Sequence, residues 1–255
     1  MPDLLRIENI SLAFGGIAAL TDVSVSVAEG RVTAVIGPNG AGKTSLFNVI
    51  SGFYRPKAGR VTFGDRDVLA LPGHARSAMG IARTFQNIAL FDGMTVLENI
   101  KLGAHAQLRA NVFSAAVYFG WAQREENDLT RQIETEVLKF LELEDVRDAA
   151  TNGLPYGVQK RIELARALVT RPKLLLLDEP FAGMNVIEKA RMATYIRRCV
   201  AEWGVTVLLI DHDMEMVMGL SDHVAVLNFG KLIASGDPAA VQRHPMVIDA
   251  YLGAA

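Results

Sequence analysis

The sequence predicts an α/β fold with a mixed, largely parallel core sheet, an N-terminal antiparallel β subdomain and an inserted helical subdomain. Three observations point to it. The opening residues alternate apolar and polar at a period of two. Nearly continuous apolar runs at 31–37, 173–180 and 205–213 read as strands buried on both faces. Between them lies a long stretch, about 88–170, of helical periodicity. With half of its 255 residues apolar, the chain is long enough to bury a sizeable core as one domain, 1–255, that carries an insertion.

Taken in order, LRIENISLAF and TDVSVSVAEG alternate as half-buried strands, with turns at Gly15-Gly16 and Glu29-Gly30, so an antiparallel sheet opens the fold. From Arg31 the pattern changes to a buried strand, VTAVIG, which runs through a glycine-rich turn into the helical KTSLFNVISGF. VTFGDRDVL, 61–69, reads as a strand pair around Gly64. In the insertion, DLTRQIETEVLKFLEL at 128–143 places Leu129, Ile133, Val137, Leu138 and Leu141 on one helical face. The insertion ends in IELARALVTRP, where Pro172 stops a helix. KLLLLDEP and VTVLLIDHD, separated by a helix over about 186–202, form a strand–helix–strand unit and so a parallel pair. A hairpin, HVAVLNFGKLIASG, precedes a helical tail at about 236–255 that reaches AYLG.

The 26 basic and 28 acidic residues give a net charge of -2, without the basic excess of a dedicated nucleic-acid binder. A single cysteine, Cys199, excludes an internal disulfide framework and a cysteine-based zinc cluster. Asp3 and Glu8 sit where a secretory signal needs a basic flank and an unbroken apolar stretch, so no export signal is expected. No run approaches the roughly 20 apolar residues of a membrane span. The uncharged ANVFSAAVYFGWA, 110–122, fits either a membrane surface or packing under a loop.

GPNGAGKT, Gly37 to Thr44, satisfies G-x-x-x-x-G-K-[ST] between a predicted buried strand and a predicted helix, the context that this phosphate-binding motif requires. The core is therefore expected to be that of a P-loop NTPase. Gly40 and Gly42 let successive N–H groups converge on phosphate oxygens, and the helix N-terminus adds its positive end. The candidate nucleotide-binding set is Gly37, Pro38, Asn39, Gly40, Ala41, Gly42, Lys43, Thr44 and Ser45. Lys43 would reach the β- and γ-phosphates, and the Thr44 hydroxyl would ligate magnesium. Asp178 ends a buried strand, a place where a carboxylate is best explained by bound magnesium. The adjacent Glu179 is the candidate general base for an attacking water.

Together with RTFQN (83–87), LPYGVQKRIELARAL (154–168), EPFAGMN (179–185) and LLIDHD (208–213) in that order, these motifs resemble the ATP-binding subunit of ABC transporters over nearly the whole chain. Tyr156-Gly157, Ala182 to Asn185, His212 and the terminal Tyr251 to Gly253 are similar to the branched-chain amino acid type. The resemblance implies that Gln86 is the Q-loop residue, touching magnesium or the water and sensing a membrane partner. It implies that His212 bonds the γ-phosphate and aligns Glu179. Phe14 matches the aromatic position that stacks on adenine, although a Phe at a strand end serves as often in a core. Leu154, Pro155, Tyr156, Gly157 and Val158 occupy the signature that faces the opposite subunit's ATP; they lack the usual serine hydroxyl and leave only Gly157 with its expected backbone role. Asn185 stands where the family's D-loop has Asp.

The implied function is that of a peripheral ATPase subunit on the cytoplasmic face of the inner membrane. Two subunits would close around two MgATP and drive uptake of a small polar solute, most simply a branched-chain or other amino acid, with urea or short amides the alternative. The implied partners are integral membrane permease subunits, a second ATPase subunit in a heterodimer or homodimer, and indirectly a periplasmic substrate-binding protein; no nucleic acid is expected. A soluble ABC ATPase of DNA repair or translation is the rival reading. Such proteins usually carry coiled coils, zinc modules or tandem ATPase domains, and none is present here.

Overall fold

The computed structural model describes residues 2–84, 88–104 and 121–252. Gln86, nearly all of the 110–122 stretch and Gly253 lie outside the described residues. The chain divides into two compact units, residues 1–86 with 173–255, and residues 87–172.

The first unit is built on two sheets. β1 (Asp3–Phe14) and β2 (Ile17–Ala28) form the hairpin that the alternation predicts, and β4 (Ala58–Phe63) and β5 (Arg66–Asp67) complete an antiparallel sheet in the order β2-β1-β4-β5. The second sheet contains β3 (Val32–Ile36), β6 (Ile81–Arg83), β7 (Leu174–Asp178), β8 (Thr206–Ile210), β9 (His223–Asn228) and β10 (Lys231–Gly236). Its order is β10-β9-β3-β8-β7-β6. Every pairing from β9 to β6 is parallel, and β10 returns antiparallel on β9. All five residues of each of β3, β7 and β8 are buried, as expected of strands covered on both faces.

Helix α1 (Lys43–Ser51) lies in the core that joins the two sheets: Leu46, Phe47, Val49 and Ile50 pack in one cluster with Leu5, Ile7, Val23, Leu176 and Leu208. Phe47 is fully buried, so truncating it to alanine should cost about 3–5 kcal/mol. The carbonyls at the end of α1 are met by Arg76 of helix α2 (Gly73–Ala78), whose Nη1 donates to the oxygens of Val49 at 2.6 Å and Ile50 at 2.8 Å. Cys199 is buried, and burial pushes its thiol up to about 12, which makes it unreactive.

In the second unit, α3 (Val96–Ala104) packs on α5 (Tyr156–Leu168). Their approach is close enough that a Cβ on Gly103 would stand 2.2 Å from the Arg166 carbonyl oxygen. Helix α4 (Trp121–Gln132) runs into a π-helical turn, Ile133–Leu138, which buries Ile133, Val137 and Leu138. The periodicity predicted an uninterrupted helix there; the wider turn keeps the same apolar side chains inward. Among the described residues no helix is long and apolar enough to cross a membrane.

Back in the first unit, α6 (Val186–Trp203) connects β7 to β8, and α7 (Met214–Leu220), α8 (Pro238–Gln242) and α9 (Pro245–Leu252) follow. A capping box starts α6: Asn185 Oδ1 accepts from the Glu188 N–H and Glu188 Oε2 from the Asn185 N–H, both at 3.0 Å.

Candidate functional site

Three neighbouring parallel strands, β3, β8 and β7, end together on one edge of the sheet. From those ends leave the loop Gly37–Gly42, the pair Asp211-His212 and the pair Asp178-Glu179. The crevice beyond the carboxyl ends of such strands is the general ligand position in open parallel sheets.

Local sterics shape the loop. Gly37 has φ 148° and lies so close to β9 that a Cβ would stand 2.0 Å from the Leu227 oxygen. Gly42, at φ 100°, caps α1 and presses on the Ala19 carbonyl, where a Cβ would fall within 2.6 Å. Both positions therefore demand glycine. The β9–β10 turn braces the loop as well, since the Gly230 N–H donates to the Ala41 oxygen at 3.1 Å. The loop's cation is turned inward: Lys43 Nζ donates to the carbonyls of Gly37 at 2.7 Å and Pro38 at 2.9 Å. Burial lowers the Lys43 pKa from 10.5, opposed by the nearby carboxylates of Glu179 and Asp178. Thr44 is exposed and Ser45 half-buried in the first turn of α1.

Asp178 is buried and ion-paired at 2.8 Å with Arg83 Nη2 of β6. The same guanidinium donates to Asn48 Oδ1 at 2.7 Å and Ser51 Oγ at 3.1 Å on α1, and lies over the Phe47 ring at 5.6 Å. Arg83 thus ties β6, α1 and β7 together. Sequence reading took in RTFQN for its glutamine and missed this arginine; a buried strand-end carboxylate that needs a cation was the available signal.

Glu179 leaves the strand at once, with φ 51°, its N–H held by the Ile210 oxygen at 2.8 Å. A left-handed backbone at a residue with a Cβ costs about 1–2 kcal/mol and is found where surrounding structure over-determines it. Exposed His212 brings Nδ1 to 3.9 Å from Glu179 Oε2, near but beyond hydrogen-bond reach.

Phe14 ends β1 half-exposed and outside the buried cluster, with its ring edge-to-face against Tyr54 at 5.0 Å between centroids. Asn185 caps α6 as described. In the second unit, Pro155 precedes α5 and Tyr156 begins it; Gly157 is buried, Pro155 and Tyr156 are exposed, and Leu154 and Val158 are half-buried. Lys160 stands 5.9 Å over the Tyr156 ring. Tyr251 of α9, read from sequence only as a family marker, is half-buried; burial raises its phenol pKa, and the Gly37 N–H beside it acts in opposition.

The hydroxyl and carboxylate oxygens of Thr44 and Asp178 are a hard, all-oxygen donor set, which suits magnesium completed by water and phosphate oxygens. The carboxylates of Glu179 and Asp178 both oppose the burial of the Lys43 ammonium.

A family profile described as ABC transporter matches residues 20–182, and one described as branched-chain amino acid ATP-binding cassette transporter matches residues 231–255. The high-affinity branched-chain amino acid transport ATP-binding protein BraF of Pseudomonas aeruginosa is 40% identical over 252 residues, covering 99% of this chain and 98% of that protein. The corresponding LivG protein of Escherichia coli is 39% identical over the same shares of both chains. Among solved structures, the ADP conformation of an ATP-binding cassette of an ABC transporter superposes with a TM-score of 0.87 at 35% identity, covering 99% of this chain and all of that one.

Proposed function

The chain belongs to the ABC transporter family as an ATP-binding subunit of the branched-chain amino acid type, and from that premise we propose that it hydrolyses MgATP to drive uptake of a branched-chain or similar amino acid. The observation that carries the proposal is the meeting of Lys43, Asp178, Glu179 and His212 at the ends of three adjacent strands.

In this reading the phosphates lie in the nest of the Gly37–Gly42 loop and at the start of α1. Lys43 exchanges the carbonyls of Gly37 and Pro38 for phosphate oxygens, a stronger charge-assisted pairing. Thr44 and Asp178 would hold magnesium, with Gln86 as a further ligand; bound there, the ion neutralises charge on the phosphate oxygens. Arg83, paired with Asp178 at 2.8 Å, holds its carboxylate in orientation. Glu179 polarises the water as general base, while His212 bonds the γ-phosphate and keeps Glu179 aligned. Phe14, with Tyr54 against its ring, offers a face for adenine. Residues 154–158 would face the nucleotide of a second ATPase subunit across a head-to-tail dimer. Coupling to permease subunits and a periplasmic binding protein, peripheral attachment to the inner membrane and import itself belong to this proposal.

The test is Glu179→Gln in vesicles reconstituted with the permease and both ATPase subunits. Affinity for a fluorescent ATP analogue should hold, while hydrolysis and uptake of labelled leucine fall at least about a hundredfold, the low end of a general base's contribution. Turnover within a few-fold of the native rate would remove Glu179 from that role. Uptake of urea in place of leucine would correct the substrate.

A further inference from the structure

Asp211 is buried, with its side chain fully shielded, at the end of β8. Its two oxygens hold two separate turns. Oδ2 accepts from the Phe181 N–H at 3.0 Å, two residues beyond Glu179. Oδ1 accepts from the Asp213 N–H at 2.9 Å, one residue beyond His212, and lies 3.9 Å from His212 Nδ1. One carboxylate thus grips the backbone just past each member of the candidate catalytic pair. Burying such a group is costly unless its hydrogen bonds are made, and here the acceptors are spent on backbone that no secondary structure satisfies. An apolar residue at the same place would leave both N–H groups orphaned.

A second tie fixes the outer side of the clamp. Asp213 Oδ2 pairs with Lys189 Nζ at 2.6 Å, and its Oδ1 caps α7 by accepting from the Met216 N–H at 3.1 Å. Lys189 stands in the first turn of α6, directly after the Asn185 capping box. The left-handed turn at Glu179 needs such over-determination, because its backbone is strained; the Ile210 carbonyl accepts its N–H, and Asp211 accepts the Phe181 N–H two residues on.

We propose that Asp211 is a positioning residue that sets the separation and orientation of Glu179 and His212, with the Lys189–Asp213 pair bracing it from α6. The proposal rests on the ATPase reading above and deepens it. With its side chain fully shielded, Asp211 acts through the two turns.

The experiment measures ATP turnover and ATP-analogue affinity for Asp211→Asn, Glu179→Gln and the double variant in the reconstituted transporter. An asparagine offers one acceptor where two are needed. We expect kcat to fall by about 10- to 100-fold, the cost of misplacing a reacting group by about an ångström, with KM and analogue affinity changed less than twofold. In the Glu179→Gln background Asp211→Asn should cost nothing further. A merely structural role would instead lower affinity and melting temperature and add its loss to that of Glu179→Gln. Unchanged kcat in Asp211→Asn, or additive losses, overturns the proposal. Should Asp211→Asn fail to fold, Asp211→Glu, which keeps the charge and shifts both acceptors by one methylene, must show the same lowered kcat at unchanged affinity; a native kcat overturns the proposal equally. If Glu179→Gln itself retains turnover, the general-base assignment of Glu179 fails, and with it the part of this inference that acts through Glu179; absence of ATP-analogue affinity in the native chain would instead sink the ATPase reading.

Discussion

Lys43 illustrates how a proposed phosphate-binding residue is stored at a cost. Its ammonium is buried against two carbonyls, and desolvation, the largest influence on it, lowers its pKa below 10.5. Between that lowered value and 10.5 the unfolded chain binds the extra proton, so stability rises with pH across this alkaline window and Lys43 weakens the nucleotide-free fold at neutral pH. Lys43→Met should therefore leave the melting temperature without nucleotide equal to or above that of the native protein. ATP should raise the native melting temperature and leave the variant's unchanged, since the phosphate nest alone does not offset the triphosphate charge. ATP affinity of the native chain should decline as pH rises through the lowered Lys43 pKa, because the paired lysine must be protonated. Titration calorimetry in buffers of different ionisation enthalpy would record the proton taken up. A native-like ATP stabilisation in Lys43→Met would remove the phosphate-cradle assignment.

At the level of elements, what was legible in the sequence was whatever carries a strong period or a motif. The five-residue buried runs of β3, β7 and β8, the glycine-rich turn before α1 and the 18-residue α6 all declare themselves locally. β6 did not, because three residues, Ile81–Arg83, are too few for a period and the strand exists through its parallel pairing with β7. With β6 went Arg83, and with Arg83 the cation beside Asp178. The clamp at Asp211 was hidden for a related reason: its partners lie 30 residues and two residues away, and the acceptors serve backbone N–H groups that leave no sequence trace. Position in the sheet, not composition, makes both residues matter. Arg83→Met should strand the Asp178 carboxylate and cost about 3–5 kcal/mol, as removal of one partner of a buried ion pair does. Urea unfolding of the nucleotide-free chain would measure it, and a loss under about 1 kcal/mol would mean that water reaches Asp178 and replaces the arginine.

For the whole molecule, the consequence of the altered signature depends on how the α5 N-terminus presents itself. Pro155 and Tyr156 stand exposed at its start, Gly157 is buried, and no side chain caps the helix. Its first N–H groups and positive end remain suited to a phosphate, so the missing element is a serine hydroxyl rather than the whole surface. A hydrogen bond to a charged group contributes about 1.5–3 kcal/mol, which corresponds to about ten- to a hundredfold in the occupancy or rate of the site that this chain would complete for a partner in the proposed dimer. The site built on Lys43, Asp178, Glu179 and His212 would suffer no such loss if the partner brings a serine-bearing signature. In a transporter with two different ATPase subunits the two sites should then be unequal. Replacing the phosphate-loop lysine in each subunit separately, and measuring leucine uptake in reconstituted vesicles, separates the two contributions. Lys43→Ala in this chain should reduce transport more than the matching substitution in the partner, and this chain purified alone should hydrolyse ATP slowly. Equal losses, or full transport with this chain as the sole ATPase, would show that the N–H groups at the start of α5 suffice without the hydroxyl and that the two sites work as equals.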